Sequence, residues 1–199
     1  MKKIGIFSGT FDPVHMGHVS FALDAMEALS LDRVVFLPEI LPRLKKPSAI
    51  QHRHKMLELS LQGHEGLSVL LLDTPRFNIN DTLPELRLRF GDAPLVMLMG
   101  SDLVRTFKYR WPGLEDLLAS VELAIGLRGD DTKQEIVELL KECASEYGTP
   151  ITFHILPSPR AHIASTQVRR GDYVIEDVHA QVAEYIEKHS LYSRPLESN

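Results

Sequence analysis

Residues 4–18, "IGIFSGTFDPVHMGH", begin as an apolar run and end with two histidines that flank a methionine and a glycine. The apolar run predicts a buried strand, and the segment after it predicts a turn that opens a helix. Thr10, His15 and His18 therefore come directly after a core strand. Such a segment is either a tight turn with incidental polar groups or a site for phosphate, and the rest of the chain decides between the two.

Short apolar runs along the chain predict strands. Most are apolar throughout instead of alternating, which is typical of a parallel sheet that is covered on both faces. The predicted strands are residues 3–8, 33–38, 67–72, 94–100, 121–127 and 151–156.

Helical patterns, in which apolar residues recur every three or four positions, lie between most of these runs. The predicted helices are residues 17–30, 48–62, 79–90, 132–146 and 178–189. Strands alternating with helices predict an α/β fold with right-handed crossovers. In an open sheet of this kind ligands bind beyond the carboxyl ends of the strands, so the residues just after strands are the candidates for a site.

The composition is that of a globular protein. The chain has 199 residues, of which 44% are hydrophobic and 25% charged, which suits a single domain over residues 1–199. Its formal net charge of −5 disfavours a general nucleic-acid-binding protein, because the phosphate backbone of DNA or RNA requires a basic surface. A small phosphorylated ligand requires only a local cluster of positive charge.

The cysteine count and the N-terminus favour a cytoplasmic protein. Cys143 is the only cysteine, so it cannot form an internal disulfide bond. The N-terminal apolar run is short and is followed at once by polar turn residues, which is typical of a first strand and not of a signal peptide. No stretch approaches the roughly 20 apolar residues of a membrane span, so we expect no membrane association.

The segment from Gly9 to His18 has the properties of an anion site, although it is not the dinucleotide pattern G-x-G-x-x-G and the chain has no G-x-x-x-x-G-K-[ST]. A helix that begins near Gly17 directs unpaired N–H groups and a positive dipole end at a ligand above the strand. His15 and His18, three residues apart in the first turn, project to the same side. Two alternatives remain open at this point: a metal-binding His-x-x-His pair, and histidines that are incidental to the turn.

Two motifs at opposite ends of the chain carry a family resemblance. "GTFDPVHMGH" (9–18) resembles the (T/H)-x-G-H loop of the nucleotidylyltransferase superfamily, and "IASTQVR" (163–169) resembles its I-S-S-T-x-(I/V)-R motif, with an alanine for the first serine. Ser165 and Thr166 can cap the helix that begins there and donate to phosphate oxygens, while Arg169 supplies a cation. The alternative is a plain helix N-cap followed by a surface arginine.

Further matches extend the resemblance over nearly the whole chain and point to the bacterial nicotinate-mononucleotide adenylyltransferase group. The matching segments are "AIQHRHKMLELSL" (49–61), "NDTLPELR" (80–87), "GSD" (100–102) and "VHAQVAEYIEKHSLY" (178–192). The resemblance implies a Rossmann-like, doubly wound and mostly parallel sheet, with a small helical C-terminal portion at about residues 160–192. Residues 193–199 are expected to fray.

Three departures from the family pattern concern the acceptor side. The P-H-K stretch after the second strand is replaced by "PRLKKPS" (42–48), the S-Y-T before D-T-L reads "FNIN" (77–80), and the W-x-x-W segment is kept in part as "KYRWPGLEDL" (108–117). The resemblance implies nicotinate mononucleotide as the acceptor and the dinucleotide precursor of NAD as the product. Because of these departures, nicotinamide mononucleotide or another phosphomonoester remains an alternative acceptor.

The reaction that the resemblance implies joins a phosphomonoester to the α-phosphate of ATP and releases pyrophosphate, with Mg²⁺ bridging phosphate oxygens and held mainly by them. The catalytic residues would be His18, His15 and Thr10. The residues expected to bind ATP are Gly9, Thr10, His15, His18, Gly100, Asp102, Ser165, Thr166 and Arg169, with Asp102 near the ribose.

The acceptor would be bound by a second group of residues. Those expected there are Lys45, Lys46, Arg53, Asn78, Tyr109 and Trp111. Several have a structural alternative: the lysines can lie in a solvated loop, Arg53 can pair with Glu58, and Trp111 can anchor the core. Arg160 and His162, beside the second motif, are further candidates for contact with the acceptor.

Two other functions are compatible with the same fold. A nucleotide-binding module without turnover could use it, although such a module need not keep Thr10, His15, His18 and Arg169 together. A phosphohydrolase could use the same phosphate cradle, but the sequence offers no obvious cluster of carboxylates to activate water.

Overall fold

The computed structural model describes residues 2–43 and 45–192. The strands in these residues are β1 (Ile4–Gly9), β2 (Arg33–Pro38), β3 (Leu67–Val69), β4 (Leu95–Gly100), β5 (Glu122–Gly126) and β6 (Phe153–Leu156). They form one sheet in the order β3-β2-β1-β4-β5-β6, with parallel pairing throughout. This order confirms the predicted Rossmann-like, doubly wound α/β fold.

Helices cover both faces of the sheet. Those in the described part of the chain are α1 (Met16–Leu29), α2 (Ile50–Leu61), α3 (Ile79–Phe90), α4 (Ser101–Val104), α5 (Leu114–Ser120), α6 (Lys133–Tyr147), α7 (Ser165–Arg170) and α8 (Ala180–Lys188). Short 3-10 turns lie at Phe107–Tyr109 and Ile175–Asp177. α7 and α8 fall within the predicted C-terminal helical portion, whereas the predicted frayed tail, residues 193–199, lies outside the described residues.

The sequence prediction was wrong in two respects. β3 ends at Val69 instead of residue 72, and β6 begins at Phe153 instead of residue 151. These are the outer strands of the sheet, and each has one hydrogen-bonded neighbour, so regular pairing ends before the apolar run does. Single hydrogen bonds continue beyond it, from the N–H of Leu70 to Phe36 and from that of Leu123 to the carbonyl oxygen of Thr152. α4 and α5 were not predicted because four and seven residues are too short for a helical period to show.

The core lies on the two faces of the sheet. On one face, Ile6 and Leu123 pack with the buried side chains of α3, α5 and α6. On the other, Phe7 and Phe36 pack with those of α1, α2 and α8. Because both faces are buried, the strands can be apolar at successive positions, which explains the continuous runs in the sequence.

The order of the strands fixes where a ligand can lie. From β1 the chain moves outward to β2 and β3 and then returns to form β4 on the opposite side of β1. The loops that leave the carboxyl ends of β1 and β4 therefore turn in opposite directions and leave a crevice between them. Gly9 and Gly100 end these two strands, and the "GTFDPVHMGH" segment begins at this point.

Candidate active site

The loop after β1 is held in an unusual conformation by a buried phenylalanine. Phe11 has a φ of 49°, in the left-handed region that costs a non-glycine residue on the order of 1–3 kcal/mol. Its side chain is buried against Phe7 and Phe36, with ring centroids 5.4 Å away in both cases. Burial of an aromatic ring contributes a similar free energy, about 1.5–3 kcal/mol, and so offsets the backbone cost. Packing therefore fixes the path of the loop.

The two histidines of the loop lie against each other at the start of α1. Their rings are 3.7 Å apart between centroids, with an interplanar angle of 32°. The backbone N–H of His15 donates to Nδ1 of His18 at 3.3 Å, so the neutral His18 ring carries its proton on Nε2. His18 can therefore donate a hydrogen bond from Nε2 without a positive charge.

Both histidines are held in the neutral form. Burial lowers the pKa of His15 to about 3, and the positive charge of Arg128 contributes to the decrease. Burial also lowers the pKa of His18 well below its usual value, with further contributions from His15, Arg128 and Lys45. The positive charges of Arg128 and Lys45 near the imidazole pair create a positive region that favours an anion.

The helix of the second motif contacts the loop directly. Oγ of Ser165 donates to the carbonyl oxygen of Pro13 at 2.9 Å, and Nη1 of Arg169 donates to the carbonyl oxygen of Asp12 at 2.6 Å. Arg169 also donates from Nη2 to Oγ1 of Thr166 at 3.1 Å. The second motif begins at residue 163, 145 positions after the first ends at residue 18, and these hydrogen bonds join the two in the folded chain.

The prediction that Ser165 and Thr166 cap this helix was wrong. The N-cap residue of α7 is Ala164, whose backbone N–H donates to Oε1 of Gln167 at 2.9 Å. The physical reason is that Oγ of Ser165 already donates to the carbonyl oxygen of Pro13, so it is not available to cap the helix. The side chain of Gln167 accepts from the N–H of the N-cap residue instead. Thr166 is exposed and keeps its hydroxyl at the surface.

The loop after β1 and α7, joined by these hydrogen bonds, are here called the clamp, and a cleft called the β4–β5 cleft opens beside it. It is lined by the first turns of α1, the carboxyl ends of β4 and β5, and the segment from Ser158 to Ile163. Two of its buried polar atoms, Nδ1 of His15 and Oγ of Ser158, have no hydrogen-bond partner among the described residues. Buried polar groups are usually paired, so these atoms are available to a ligand.

Two glycines shape the β4–β5 cleft because a side chain at either position would collide with a neighbouring atom. A Cβ on Gly126 would lie 2.5 Å from Oγ of Ser158, and one on Gly17 would lie 2.8 Å from the carbonyl oxygen of Arg160. Neither glycine has a positive φ, so the requirement is for space and not for backbone freedom. Gly17 thus allows the segment before α7 to approach α1 closely.

Sequence reasoning missed Arg128, which follows β5 and lines the β4–β5 cleft. Its backbone N–H donates to Oγ of Ser101 at 2.9 Å, which anchors the residue. Nε of Arg128 lies 3.6 Å from Oδ1 of Asp102, the predicted ribose contact, which is largely exposed in the first turn of α4. The signal that could have found Arg128 is its place directly after a predicted strand.

A second, smaller cleft lies on the other side of β1 and is here called the β2–β3 cleft. It is lined by Ser8, the end of β2 and the segment from Leu70 to Phe77. Oγ1 of Thr74 is buried and has no partner within the described chain, and the side chain of Arg76 borders the same space. Neither residue was predicted as a site residue, because a lone polar residue in a loop carries no pattern.

The structure separates the two candidate lysines. Nζ of Lys45 donates to Oγ1 of Thr10 at 3.2 Å, which places this cation at the loop after β1. Lys46 is exposed, and no contact with the loop is recorded for it. Of the pair, Lys45 is the residue brought to the site.

The prediction that Arg53 binds the acceptor is wrong. Its side chain is fully buried, and its guanidinium donates to the carbonyl oxygens of Ser48, Thr10, Glu39 and Ile40 at 2.7–3.0 Å. Arg53 also does not pair with Glu58, which was predicted as its alternative role. Four of its five donors are used by backbone groups of three loop segments, so Arg53 is the internal brace of the site and is not accessible to a substrate.

The other predicted acceptor residues do not converge on one point. Asn78 caps α3, accepting from the N–H of Asn80 and donating to Asp81. Trp111 packs edge-to-face on Phe107 against the core, its structural alternative, and Tyr109 is 70% exposed. None of these three lines either cleft, so the structure gives them no contact with the space beside the clamp.

The residues beside the second motif differ from each other. Arg160 lines the β4–β5 cleft and donates from Nη1 to the carbonyl oxygen of Glu176 at 3.2 Å. His162 is exposed. Of the two candidates only Arg160 borders a cleft.

The described part of the chain has neither a cluster of metal ligands nor a helix suited to a membrane. Residues 2–43 and 45–192 contain no group of three or more His, Cys, Asp or Glu that could hold a metal ion, so His15 and His18 gain no third ligand there. Within the same ranges, none of the helices is both long enough and apolar enough to span a membrane.

A Rossmann-like sheet with a loop and a helix N-terminus at its switch point is an architecture typical of nucleotide-binding proteins. The pattern of the cytidylyltransferase-like family matches residues 6–171, and the chain belongs to this family. The protein is therefore a nucleotidyltransferase, as the two motifs predicted.

Similar proteins agree with this assignment over their full length. One, from Neisseria meningitidis serogroup B, is 31% identical over 98% of this chain and 100% of its own, and another, from Trichormus variabilis, is 29% identical over 99% and 100%. Both are named "Probable nicotinate-nucleotide adenylyltransferase". The solved structure of Plasmodium falciparum nicotinic acid mononucleotide adenylyltransferase complexed with NaAD has the same fold, with a TM-score of 0.77 at 19% identity, covering 99% of this chain and 100% of that one.

Proposed function

We propose that the protein transfers AMP from ATP to the phosphate of nicotinate mononucleotide and releases pyrophosphate. The observation that carries this proposal is the clamp itself: the loop with the neutral imidazole pair is hydrogen-bonded to α7, and a cleft opens on each side of β1. Two clefts beside one phosphate site suit a reaction that joins two nucleotides. The names of the full-length relatives support the choice of acceptor.

The reaction requires positioning more than covalent chemistry. An oxygen of the acceptor phosphate, already an anion, attacks the α-phosphorus of ATP, the bond to the β-phosphate bridge breaks, and pyrophosphate leaves with the electron pair. Because the attacking oxygen carries no proton at neutral pH, no general base is needed. The protein's task is to bring two anions together and to stabilise the charge that develops between them.

His18 is the main stabiliser of that charge. Its Nε2–H donor is set by the hydrogen bond at Nδ1, and the ring stays neutral at pH 7, so it donates without a change of protonation. The N-terminus of α1 adds backbone N–H groups with a positive dipole end, and Thr10 and the Gly9 backbone lie at the same loop. Preorganised donors of this kind are the largest single contribution in many transfer reactions.

Cations surround the triphosphate in this proposal. Arg169 reaches it from α7 and Arg128 from the end of β5, while Lys45 receives the acceptor phosphate beside Thr10. Mg²⁺ bound with ATP would supply charge neutralisation at the phosphates. Ser165, which is occupied by Pro13, acts through the position of the loop and not by direct donation.

The adenosine half lies in the β4–β5 cleft and the pyridine half in the β2–β3 cleft. The nicotinate ring carries a carboxylate, and the β2–β3 cleft offers Arg76, Thr74 and the flat ring of Phe77 to such a group. Nicotinamide mononucleotide has a neutral amide at the same position and gains less from an arginine. Gly100 lines the β4–β5 cleft, and Asp102, 3.6 Å from Nε of the lining residue Arg128, would contact the ribose. We place the enzyme in the cytoplasm, because reducing surroundings suit a protein with a single cysteine.

A pyrophosphate-release assay tests the proposal. Purified protein with ATP and Mg²⁺ is offered nicotinate mononucleotide, nicotinamide mononucleotide and a panel of other phosphomonoesters, and CTP replaces ATP in a parallel series. We expect release with ATP and nicotinate mononucleotide at a kcat/KM at least tenfold above every other acceptor. Faster turnover of another acceptor contradicts the assignment, and binding of ATP with no turnover of any acceptor favours the non-catalytic module.

A further inference from the structure

The carboxylate of Asp12 connects the loop after β1 to the last described residue of the chain. Asp12 is only 5% exposed, and its carboxylate accepts three hydrogen bonds. The donors are the backbone N–H of Ser48 at 3.2 Å, Oγ of Ser48, and the hydroxyl of Tyr192 at 2.7 Å. A buried carboxylate that is satisfied in this way is not free to contact a substrate, so its role lies within the protein.

The contacts of Asp12 continue into the clamp. Its backbone carbonyl oxygen accepts from Nη1 of Arg169 at 2.6 Å, so the orientation of that guanidinium depends on where Asp12 is held. On the other side, the carbonyl oxygen of Ser48 accepts from Arg53, which also donates to the carbonyl oxygen of Thr10. A single carboxylate therefore lies between a cation assigned to the triphosphate and a loop residue assigned to the α-phosphate.

Tyr192 is suited to hold this carboxylate throughout the working pH range. Burial raises the pKa of its hydroxyl above the usual range, and the hydrogen bond to Asp12 acts in the same direction. The hydroxyl therefore keeps its proton and remains a donor. Tyr192 follows α8, which packs on α2, so the segment that carries the hydroxyl rests on the element that carries Arg53.

We propose that Tyr192 is a positioning residue of the transfer reaction: through Asp12 it holds the loop after β1 and Arg169 in the geometry that binds the triphosphate. The inference rests on the proposed function for the assignment of the clamp to ATP. It extends the site to the C-terminal end of the chain, more than 170 positions from the loop that it orients.

The test removes one hydroxyl and keeps the ring. Tyr192→Phe should lower kcat and weaken ATP binding by roughly tenfold each, and should leave the KM of the acceptor within about twofold, because Lys45 and the β2–β3 cleft are not contacted. The matched control is Tyr185→Phe on α8, which removes the hydroxyl that lies 3.0 Å from Nδ1 of His52 and has no contact with the loop. The control should lose a comparable amount of thermal stability and keep kcat.

Ser48→Ala provides a second variant, in the segment before α2, at a hydroxyl that also lies 3.3 Å from the hydroxyl of Tyr192. It removes the other hydroxyl donor to Asp12 and should lower kcat and ATP affinity in the same pattern. Because both hydroxyls act on one carboxylate, the double variant should lose less than the product of the two single effects. Independent, multiplicative losses, or a Tyr192→Phe enzyme whose kcat matches that of Tyr185→Phe, would overturn the proposal.

The readouts separate this inference from the proposed function. Binding of ATP with Mg²⁺, measured by calorimetry, needs no acceptor and compares the wild type with each variant directly. A wild-type protein that binds ATP but does not turn over nicotinate mononucleotide contradicts the proposed function alone. Equal ATP affinities in wild type, Tyr192→Phe and Ser48→Ala contradict the positioning role alone.

Discussion

The two clefts beside β1 are built in different ways. In the β4–β5 cleft, glycines at crowded backbone positions and a stacked histidine pair leave little room for movement, and unpaired buried atoms of His15 and Ser158 face the space. The β2–β3 cleft is smaller and is bordered mainly by the loop from Leu70 to Phe77. In the proposed function, ATP would therefore be held by the framework of the fold and the acceptor by loop side chains.

The comparison has a consequence for substitutions. A change in the β4–β5 cleft should alter chemistry or ATP affinity and usually also stability, because the same atoms hold the fold together. A change in the β2–β3 cleft should alter the KM of the acceptor with little other effect. The following predictions test this division, from the largest expected effect to the smallest.

His18→Ala should have the largest effect. Loss of a preorganised donor at the transferring phosphate should lower kcat by on the order of 10²–10³, with a much smaller change in ATP affinity. Steady-state kinetics and calorimetry measure the two quantities. His64→Ala, at a histidine in the turn before β3, is the matched control, and a His18→Ala enzyme that turns over at near-normal rate would remove His18 from the mechanism.

Arg76→Ala tests the acceptor side. If its guanidinium pairs with the nicotinate carboxylate, removal should raise the KM of nicotinate mononucleotide by roughly 10–100-fold, the value of a hydrogen bond between charged groups. The KM of ATP should stay unchanged, which is the pattern that distinguishes the two clefts. Arg89→Ala, which removes only an exposed pair with Glu85, serves as the control. An equal rise in both KM values would show that the clefts are not separate.

Gly126→Ala tests whether backbone space shapes the β4–β5 cleft. The new methyl group would meet Oγ of Ser158 at 2.5 Å and the ring of Phe21 at 3.0 Å, so overpacking should weaken ATP binding by about tenfold, equivalent to about 1.4 kcal/mol. Gly129→Ala has open space around it and strain only from its φ of 56°, so it should lower stability without a change in ATP affinity. If the two variants bind ATP equally well, the crowding around Gly126 is irrelevant to the ligand.

The imidazole pair predicts a pH dependence of stability. The pKa of His15 is about 3 in the folded protein and 6.5 in the unfolded chain, so above pH 6.5 both states are neutral and this group has no effect. Below pH 6.5 the unfolded chain takes up a proton that the folded protein does not, and stability falls by about 2 kcal/mol between pH 6.5 and 5 for one such histidine.

Urea unfolding at pH 7 and pH 5 measures this loss. In His15→Gln the loss over the same interval should be smaller by about 2 kcal/mol, since glutamine does not titrate. Identical losses in the two proteins would show that His15 is protonated normally in the folded state. The β2–β3 cleft has no corresponding group, so Arg76→Ala should leave the pH dependence as it is in the wild type.

Much of the fold could be predicted from the sequence, for an identifiable reason. Strands that are buried on both faces are apolar at every position, and β2, for example, was predicted with the bounds it has, Arg33–Pro38. The loop with Thr10, His15 and His18 was found because its residue types are close together in the chain. Local patterns of this kind survive in a sequence that is read one segment at a time.

What the sequence did not indicate depends on contacts between distant segments. Arg53 reads as a surface residue of a helix, and only the folded chain shows the four carbonyl oxygens that surround it. Thr74, Arg76 and Ser158 are single residues in loops, with no period or motif to distinguish them. Their importance arises when the sheet places the ends of non-adjacent segments side by side.

The strand order also sets a distance. β2 and β5 are separated by β1 and β4, and at about 4.8 Å per strand the ends of β2 and β5 lie about 14 Å apart. In the proposed function the product extends from one cleft to the other, so its length must match this spacing between strands. A substitution in a loop does not change that spacing. New acceptor rings can be accommodated by new side chains, but a product with a longer or shorter phosphate bridge would need a different arrangement of strands.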